Sequence, residues 1–312
     1  MTAALLISFP FFAIIFTGYC AGRFGLFGAA DVQTLNKYVF TISMPVALFG
    51  LMSLTRIEQF PGLAYVLVYL CAALITILGA YGIARRFFGL ARPDAGVHAF
   101  ATTLGNAVFL GLPVAQSIEG WGPAYVVLML AEGVVIITIG SILIAGRVDE
   151  AKTGLRGDLR TLLARPARNP LIVATLCGFV FSLLPLTVPP VISKLITLIG
   201  ATAGPVALFS LGLFLSSISL DKRTLISPRI LHIALFKLGL LPLLTFAGLH
   251  LAGITASTFV GPLMLFTLLP SGVVVYLSAS TRGRYVTEAT TAIGLTTLAS
   301  LFTISAILYV YA

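Results

Sequence analysis

The chain has 312 residues, 59% of them hydrophobic and 9% charged, with a mean hydropathy of +1.08 and a formal net charge of +9. Soluble domains carry about 25% charged residues, so this composition excludes a soluble globular protein and describes an integral membrane protein. In so apolar a chain the positive excess is a topological signal, not a nucleic-acid-binding surface.

Met1 to Phe16 carries no Lys or Arg, and its apolar run continues to Cys20. It therefore lacks the basic start of a cleavable signal peptide and reads as a retained first span. A helix crosses the hydrocarbon with about 20 mainly apolar residues, and with no water there to satisfy the backbone, helices are what such runs form. On that length ten spans are predicted, at 4–22, 33–53, 62–84, 98–117, 122–146, 169–185, 191–217, 230–251, 259–280 and 288–310. Fifteen of the 19 Lys and Arg fall in the connections that follow spans one, three, five, seven and nine, and the other connections hold Arg56 alone. The positive-inside rule places the charged connections in the cytoplasm and both termini outside the cytoplasmic membrane. The longest of them, 147–168, has the composition of a linker and divides a five-span half, 1–146, from a second five-span half, 169–312. Cys20, Cys71 and Cys177 are scattered through apolar runs, which makes neither a disulfide framework nor a metal motif, and they are expected to be packing residues.

The halves share a phrase. PVALFGL, 45–51, lies in the second span and PVALFSL, 205–211, in the seventh. With an odd number of spans per half, the second copy enters the bilayer from the opposite side, so the predicted repeat is inverted about an axis in the membrane plane. Gly18 with Gly22 and Gly200 with Gly204 are small-residue pairs that let helices approach closely.

Two spans are interrupted at matching places. The fourth reads TLGNAVFLGLPVAQ and the ninth LFTLLPSGVVVYLSAS, putting Gly105-Asn106 and Pro270-Ser271 near mid-span. Gly and Pro there weaken or remove helical hydrogen bonds. A helix that starts inside the membrane exposes unpaired N–H groups and a positive dipole end, which favours an anion or a capping side chain. Asn106 and Ser271 are good N-cap types and Pro270 suits a helix start, so the pair is a candidate cradle for a carboxylate. Ordinary kinks are the competing reading, because Gly and Pro are common in membrane helices.

Ionisable groups at membrane depth are functional candidates. Glu132, mid-way along the fifth span, is either a proton site or a polar anchor for the broken fourth helix. Lys237, about two turns into the eighth span, would complement an anion, pair with Glu132, or snorkel to the inner headgroups. His98 reads as an interfacial residue, and His98, His232 and His250 stand far apart in the chain. With a lone mid-span acid and no histidine cluster, an intramembrane enzyme is not expected. No G-x-x-x-x-G-K-[ST] loop is present for ATP, and no cofactor or metal is implied.

The blocks LNKYVFTISMPVALF (35–49), GNAVFLGLPV (105–114), NPLIVATLCGFVFSLL (169–184), GPVALFSLGLFL (204–215) and LLPSGVVVYLSA (268–279) resemble the auxin efflux carrier family, which includes plant PIN auxin transporters and bacterial permeases. The resemblance covers essentially the whole chain. It implies an all-α membrane protein of ten transmembrane helices in two inverted five-helix repeats, with broken fourth and ninth helices crossing at the substrate site. It places Asn106 beside a substrate carboxylate and makes Pro270 the crossover proline of the ninth helix. Two departures stand out: Gly105 precedes Asn106 where plant members have proline, and Pro270-Ser271-Gly272 replaces Pro-Gln-Gly. The bulky plant substrate is therefore not assumed. The expectation is a secondary transporter of a small organic anion, a mono- or dicarboxylate, working by alternating access. The alternative is a bile-acid-type sodium symporter. Coupling to H⁺ or Na⁺ and assembly as a homodimer are left open by the sequence.

Overall fold

The computed structural model describes residues 2–55, 62–145, 169–218 and 222–311, and among these the chain is helical with no β-strand. The expected linker at 147–168 and Arg56 lie outside the described residues. The helices are α1 (Thr2–Arg23), α2 (Ala30–Ser53), α3 (Leu63–Arg86), α4 (Arg92–Ala101), α5 (Ala107–Gln116) and α6 (Trp121–Ala145). They are followed by α7 (Pro170–Ser182), α8 (Pro190–Ser217), α9 (Pro228–Leu251), α10 (Ser257–Leu268), α11 (Val273–Ser280) and α12 (Val286–Tyr311). Six of them, α2, α3, α6, α8, α9 and α12, are long and apolar enough to cross a membrane. The predicted fourth span is present as α4 and α5, and the ninth as α10 and α11.

Helix starts follow local chemistry more closely than hydropathy. Proline opens α7 and α9 where an N–H would be unsatisfied, and the cap oxygens of Asn169 and Ser227 accept from Leu171 and Ile230. Pro93 likewise lets α4 begin at Arg92, six residues before the apolar run at 98. Three long helices contain a widened, π-type turn: Val39–Ser43 in α2, Glu132–Ile136 in α6 and Phe236–Leu240 in α9. Such turns recur at functional positions, and two of these carry Glu132 and Lys237.

Close packing uses glycine. A Cβ on Gly18 of α1 would strike the Phe209 carbonyl of α8, and one on Gly212 of α8 would strike the Ile15 carbonyl of α1. Gly178 of α7 faces the Phe49 carbonyl of α2 in the same manner, at 2.7 Å from an added Cβ. The two PVALF helices meet: Tyr38 and Thr202 hydroxyls lie 2.7 Å apart, and Ser210 donates to Asn36 Oδ1 at 2.6 Å. The expectation for the cysteines needs correction. Cys20 is partly buried, but Cys71 and Cys177 are exposed on the outer surface, where an apolar thiol suits lipid as well as a core.

Candidate functional site

Between α4 and α5, and again between α10 and α11, the chain leaves the helix and runs extended. The two extended segments cross antiparallel, with Gly105 opposite Ser271. The Asn106 N–H donates to the Pro270 carbonyl at 2.9 Å and the Gly272 N–H to the Leu104 carbonyl at 3.0 Å. Each break thus satisfies part of the other's backbone where water is scarce. Gly272 is glycine because an added Cβ would lie 2.7 Å from the Gly105 carbonyl oxygen, whereas one on Gly105 would meet only ordinary contacts at 3.5 Å.

The remaining polar groups of the crossing are met by side chains from the surrounding helices. The Gly105 N–H donates to Glu132 Oε1 of α6 at 3.3 Å, and the Ser271 N–H to Thr296 Oγ1 of α12 at 3.0 Å. On the acceptor side, Lys237 Nζ donates to the Thr267 carbonyl at 3.0 Å, Thr303 to that of Leu268 at 3.1 Å and Tyr125 to that of Ala107 at 3.0 Å. The charges suit the ends they touch: a carboxylate faces a free amide at the break before α5, and an ammonium faces the C-terminal carbonyls of α10.

The five residues singled out at the breaks, Gly105, Asn106, Pro270, Ser271 and Gly272, are therefore brought together, but they do different things. Asn106 occupies the position before α5 without capping it, and its amide nitrogen Nδ2 is buried with no hydrogen-bond partner. Asn106, Gly105, Gly272 and Glu132 line a cavity of about 170 Å³ whose walls are otherwise mainly apolar, including Phe40 and Ile172. Ser271 departs from its expected role. It does not cap α11, whose cap position is Gly272; its hydroxyl turns back to donate to the Ala101 carbonyl at 2.7 Å, closing the end of α4. Pro270 contributes its carbonyl to the crossing, and neither it nor Ser271 is part of the cavity wall.

Glu132 is 4% exposed and makes the anchoring contact to the broken fourth helix. The same oxygen accepts the Tyr69 hydroxyl at 2.7 Å, while its second oxygen receives no hydrogen bond from the described residues. Lys237 does not snorkel: it is fully buried, and the nearby Thr267 carbonyl holds it. It also forms no direct ion pair with Glu132. Tyr69, Tyr125 and Thr296 were not expected. Their hydroxyls in mid-span are the available signal, since a buried hydroxyl requires a partner. Phe266 packs edge-on against both tyrosine rings, at 5.0 and 5.1 Å between centroids, which fixes the two hydroxyls at the crossing.

The histidines also need correction. His98 of α4 and His232 of α9 are not apart in space: Nε2 of the first and Nδ1 of the second lie 2.9 Å apart. The other nitrogen of His98 is 2.9 Å from the Tyr285 hydroxyl, and Phe88 packs edge-on against both imidazoles. Tyr285 reaches this position from a left-handed backbone, φ 57°, which costs a bulky residue energy. Burial pushes its phenol above the usual range, so it stays neutral. His250 is exposed and takes no part.

A family model described as membrane transport protein matches residues 7–308, nearly the whole chain. The chain belongs to this family. It is the auxin efflux carrier family that the sequence blocks resemble. A protein of Rhizobium meliloti (strain 1021) named "Putative malonate transporter" is 27% identical over 310 residues, covering 96% of this chain and 93% of that protein. An uncharacterized transporter of Escherichia coli (strain K12) is 25% identical over 245 residues, covering 75% and 74%. A further uncharacterized transporter, from Methanocaldococcus jannaschii, is 26% identical over 210 residues, covering 65% and 66%. As a member of the membrane transport protein family with several membrane-length apolar helices, the chain is a multi-pass membrane protein with a small-molecule substrate.

Proposed function

We propose that the chain is a secondary transporter that carries a small organic anion, a mono- or dicarboxylate, by alternating access around the crossing of its two broken helices. One observation carries this reading: the amide nitrogen of Asn106, buried beside the cavity at the crossing, has no acceptor. A buried donor without a partner costs about 1–3 kcal/mol, and a carboxylate oxygen in the cavity removes that cost. Ala107, Val108 and Phe109, the first turn of α5, also line the cavity, which brings the positive end of a helix dipole to it. The name of the Rhizobium relative supports a carboxylate substrate.

The architecture in this reading is ten spans in two inverted five-helix repeats, 1–146 and 169–312, joined by a cytoplasmic linker, with both termini outside. The repeated phrase, the paired breaks and the matched supports from α6 and α12 argue for it. Lys237 already places a positive charge on the carbonyl end of α10, which favours a sodium-independent cycle over bile-acid-type sodium symport.

The test is counterflow of labelled malonate and pyruvate in proteoliposomes. Asn106→Ala is expected to lower exchange at least about tenfold, the equivalent of 1.4 kcal/mol. Its thermal stability should stay near that of the native protein, because Nδ2 bonds no protein atom. Equal exchange by both proteins removes the site assignment.

A further inference from the structure

We propose that one proton travels with each carboxylate, held on the free oxygen of Glu132; this rests on the anion reading above. Glu132 lines the cavity that Asn106 lines, and Glu132 Oε1 is occupied by the Tyr69 hydroxyl and the Gly105 amide. The second carboxylate oxygen is left without a donor from the described residues. Asn106 and Glu132 both line the one cavity, so a substrate carboxylate bonded to Asn106 Nδ2 shares that small, mainly apolar space with the Glu132 side chain. Two carboxylates sharing a site in a low-dielectric setting do not both remain charged; one takes a proton.

The charge count around the site points the same way. The groups that face Glu132 are Tyr69 from α3, Tyr125 from its own helix and Lys237 from α9. Among the described residues lining the cavity, none besides Glu132 is Lys, Arg, His, Asp or Glu. In the proposed cycle the empty site holds Glu132 as a carboxylate and Lys237 as an ammonium, whose charges cancel. A monoanion leaves one uncompensated negative charge at membrane depth, which is costly. A proton taken from the loading side onto the free Glu132 oxygen restores neutrality, and the new O–H donates to the substrate carboxylate. On the opposite side the substrate and proton leave together, returning Glu132 to its starting state. A monocarboxylate therefore moves with no net charge, and a dianion with one negative charge.

Purified protein in liposomes with trapped pyranine tests this with pyruvate and malonate as probes and protein-free liposomes as the baseline. Inward transport of pyruvate should acidify the interior by about one proton per pyruvate without generating current, and malonate should give both acidification and negative current. Glu132→Gln keeps an acceptor for Tyr69 and Gly105 while mimicking the protonated form. Per pyruvate moved, it should lose substrate-driven acidification and the rise of uptake at lower outside pH. Wild-type uptake without proton movement overturns the proposal, as does acidification that persists in the Gln variant. If that variant does not fold, the wild-type proton and current measurements decide. Failure of the wild type to move either probe counts against the transport reading itself, a result distinct from uptake without protons.

Discussion

Two glycines face each other at the crossing, and the structure assigns them opposite tolerance. Replacing Gly272 by Ala puts a methyl 2.7 Å from the Gly105 carbonyl oxygen and 3.2 Å from its carbon, both backbone atoms that no rotamer change can move. The segments must separate, at the expense of the bonds from Asn106 to Pro270 and from Gly272 to Leu104. Overpacking costs about 1–3 kcal/mol, and each buried backbone hydrogen bond contributes about 0.5–1.5 kcal/mol. A partial loss of both gives about 2–4 kcal/mol, or about 30- to 1000-fold in the opening equilibrium of the crossing. Hydrogen exchange by mass spectrometry reads this as reduced protection at the amides of Asn106 and Gly272. Gly105→Ala is the control, since its methyl finds Leu269 and the Phe266 carbonyl at 3.5 Å, ordinary contact. It should alter protection by no more than a few-fold. Equal protection in Gly272→Ala and the native protein, or an equal fall in both variants, would refute the steric account.

Ser271→Ala removes the donor to the Ala101 carbonyl and should lower the melting temperature through a loss of about 1–3 kcal/mol, while carboxylate affinity stays unchanged because Ser271 is not in the cavity wall. A large rise in Kd with unchanged stability would put its hydroxyl in the binding site instead. Lys237→Met removes the donor to the Thr267 carbonyl and should destabilise the protein by about 1–3 kcal/mol; thermal melts of Lys237→Met, Glu132→Gln and the double variant, combined as a cycle, measure the coupling between the two side chains. The His98–His232 bond needs one ring nitrogen free of a proton to accept. Melting temperature should therefore fall as pH drops from 7 to 5 and imidazoles take up protons. The fall should be much smaller in His232→Phe, which keeps the stacking on Phe236; an unchanged slope would deny the pair this role.

The breaks were legible because their cause is local. Gly105 and Pro270 weaken helices whatever surrounds them, and a polar residue beside each marks the place. What each neighbouring side chain does was not legible. Ser271 and Asn106 look alike as caps, yet one turns back to close α4 and the other is left facing the cavity, a difference set by which segment crosses over which. Lys237 has the same hydrocarbon stem whether it snorkels or turns inward, and only the carbonyl end of α10 beside it decides. His98 and His232 are 134 residues apart, and no local pattern reports that α4 and α9 adjoin. Helix starts were misplaced where charge precedes the apolar run, as at Arg92, because hydropathy marks the hydrocarbon boundary while proline and caps mark the helix.

The mutual bonding of the two breaks also restricts how the molecule can move. Because Asn106 and Gly272 each lean on the opposite strand, neither helix can straighten alone without stranding the other's amide. In the proposed cycle the crossing therefore moves as one piece, and relative motion falls to smoother surfaces. The seam where a Cβ added to Gly200 would come 3.1 Å from Ala47, and one added to Gly204 3.2 Å from Pro113, is such a surface, with little side chain to interlock. In the alternating-access reading proposed above, a bulky residue there would slow turnover while leaving the cavity at the crossing unchanged.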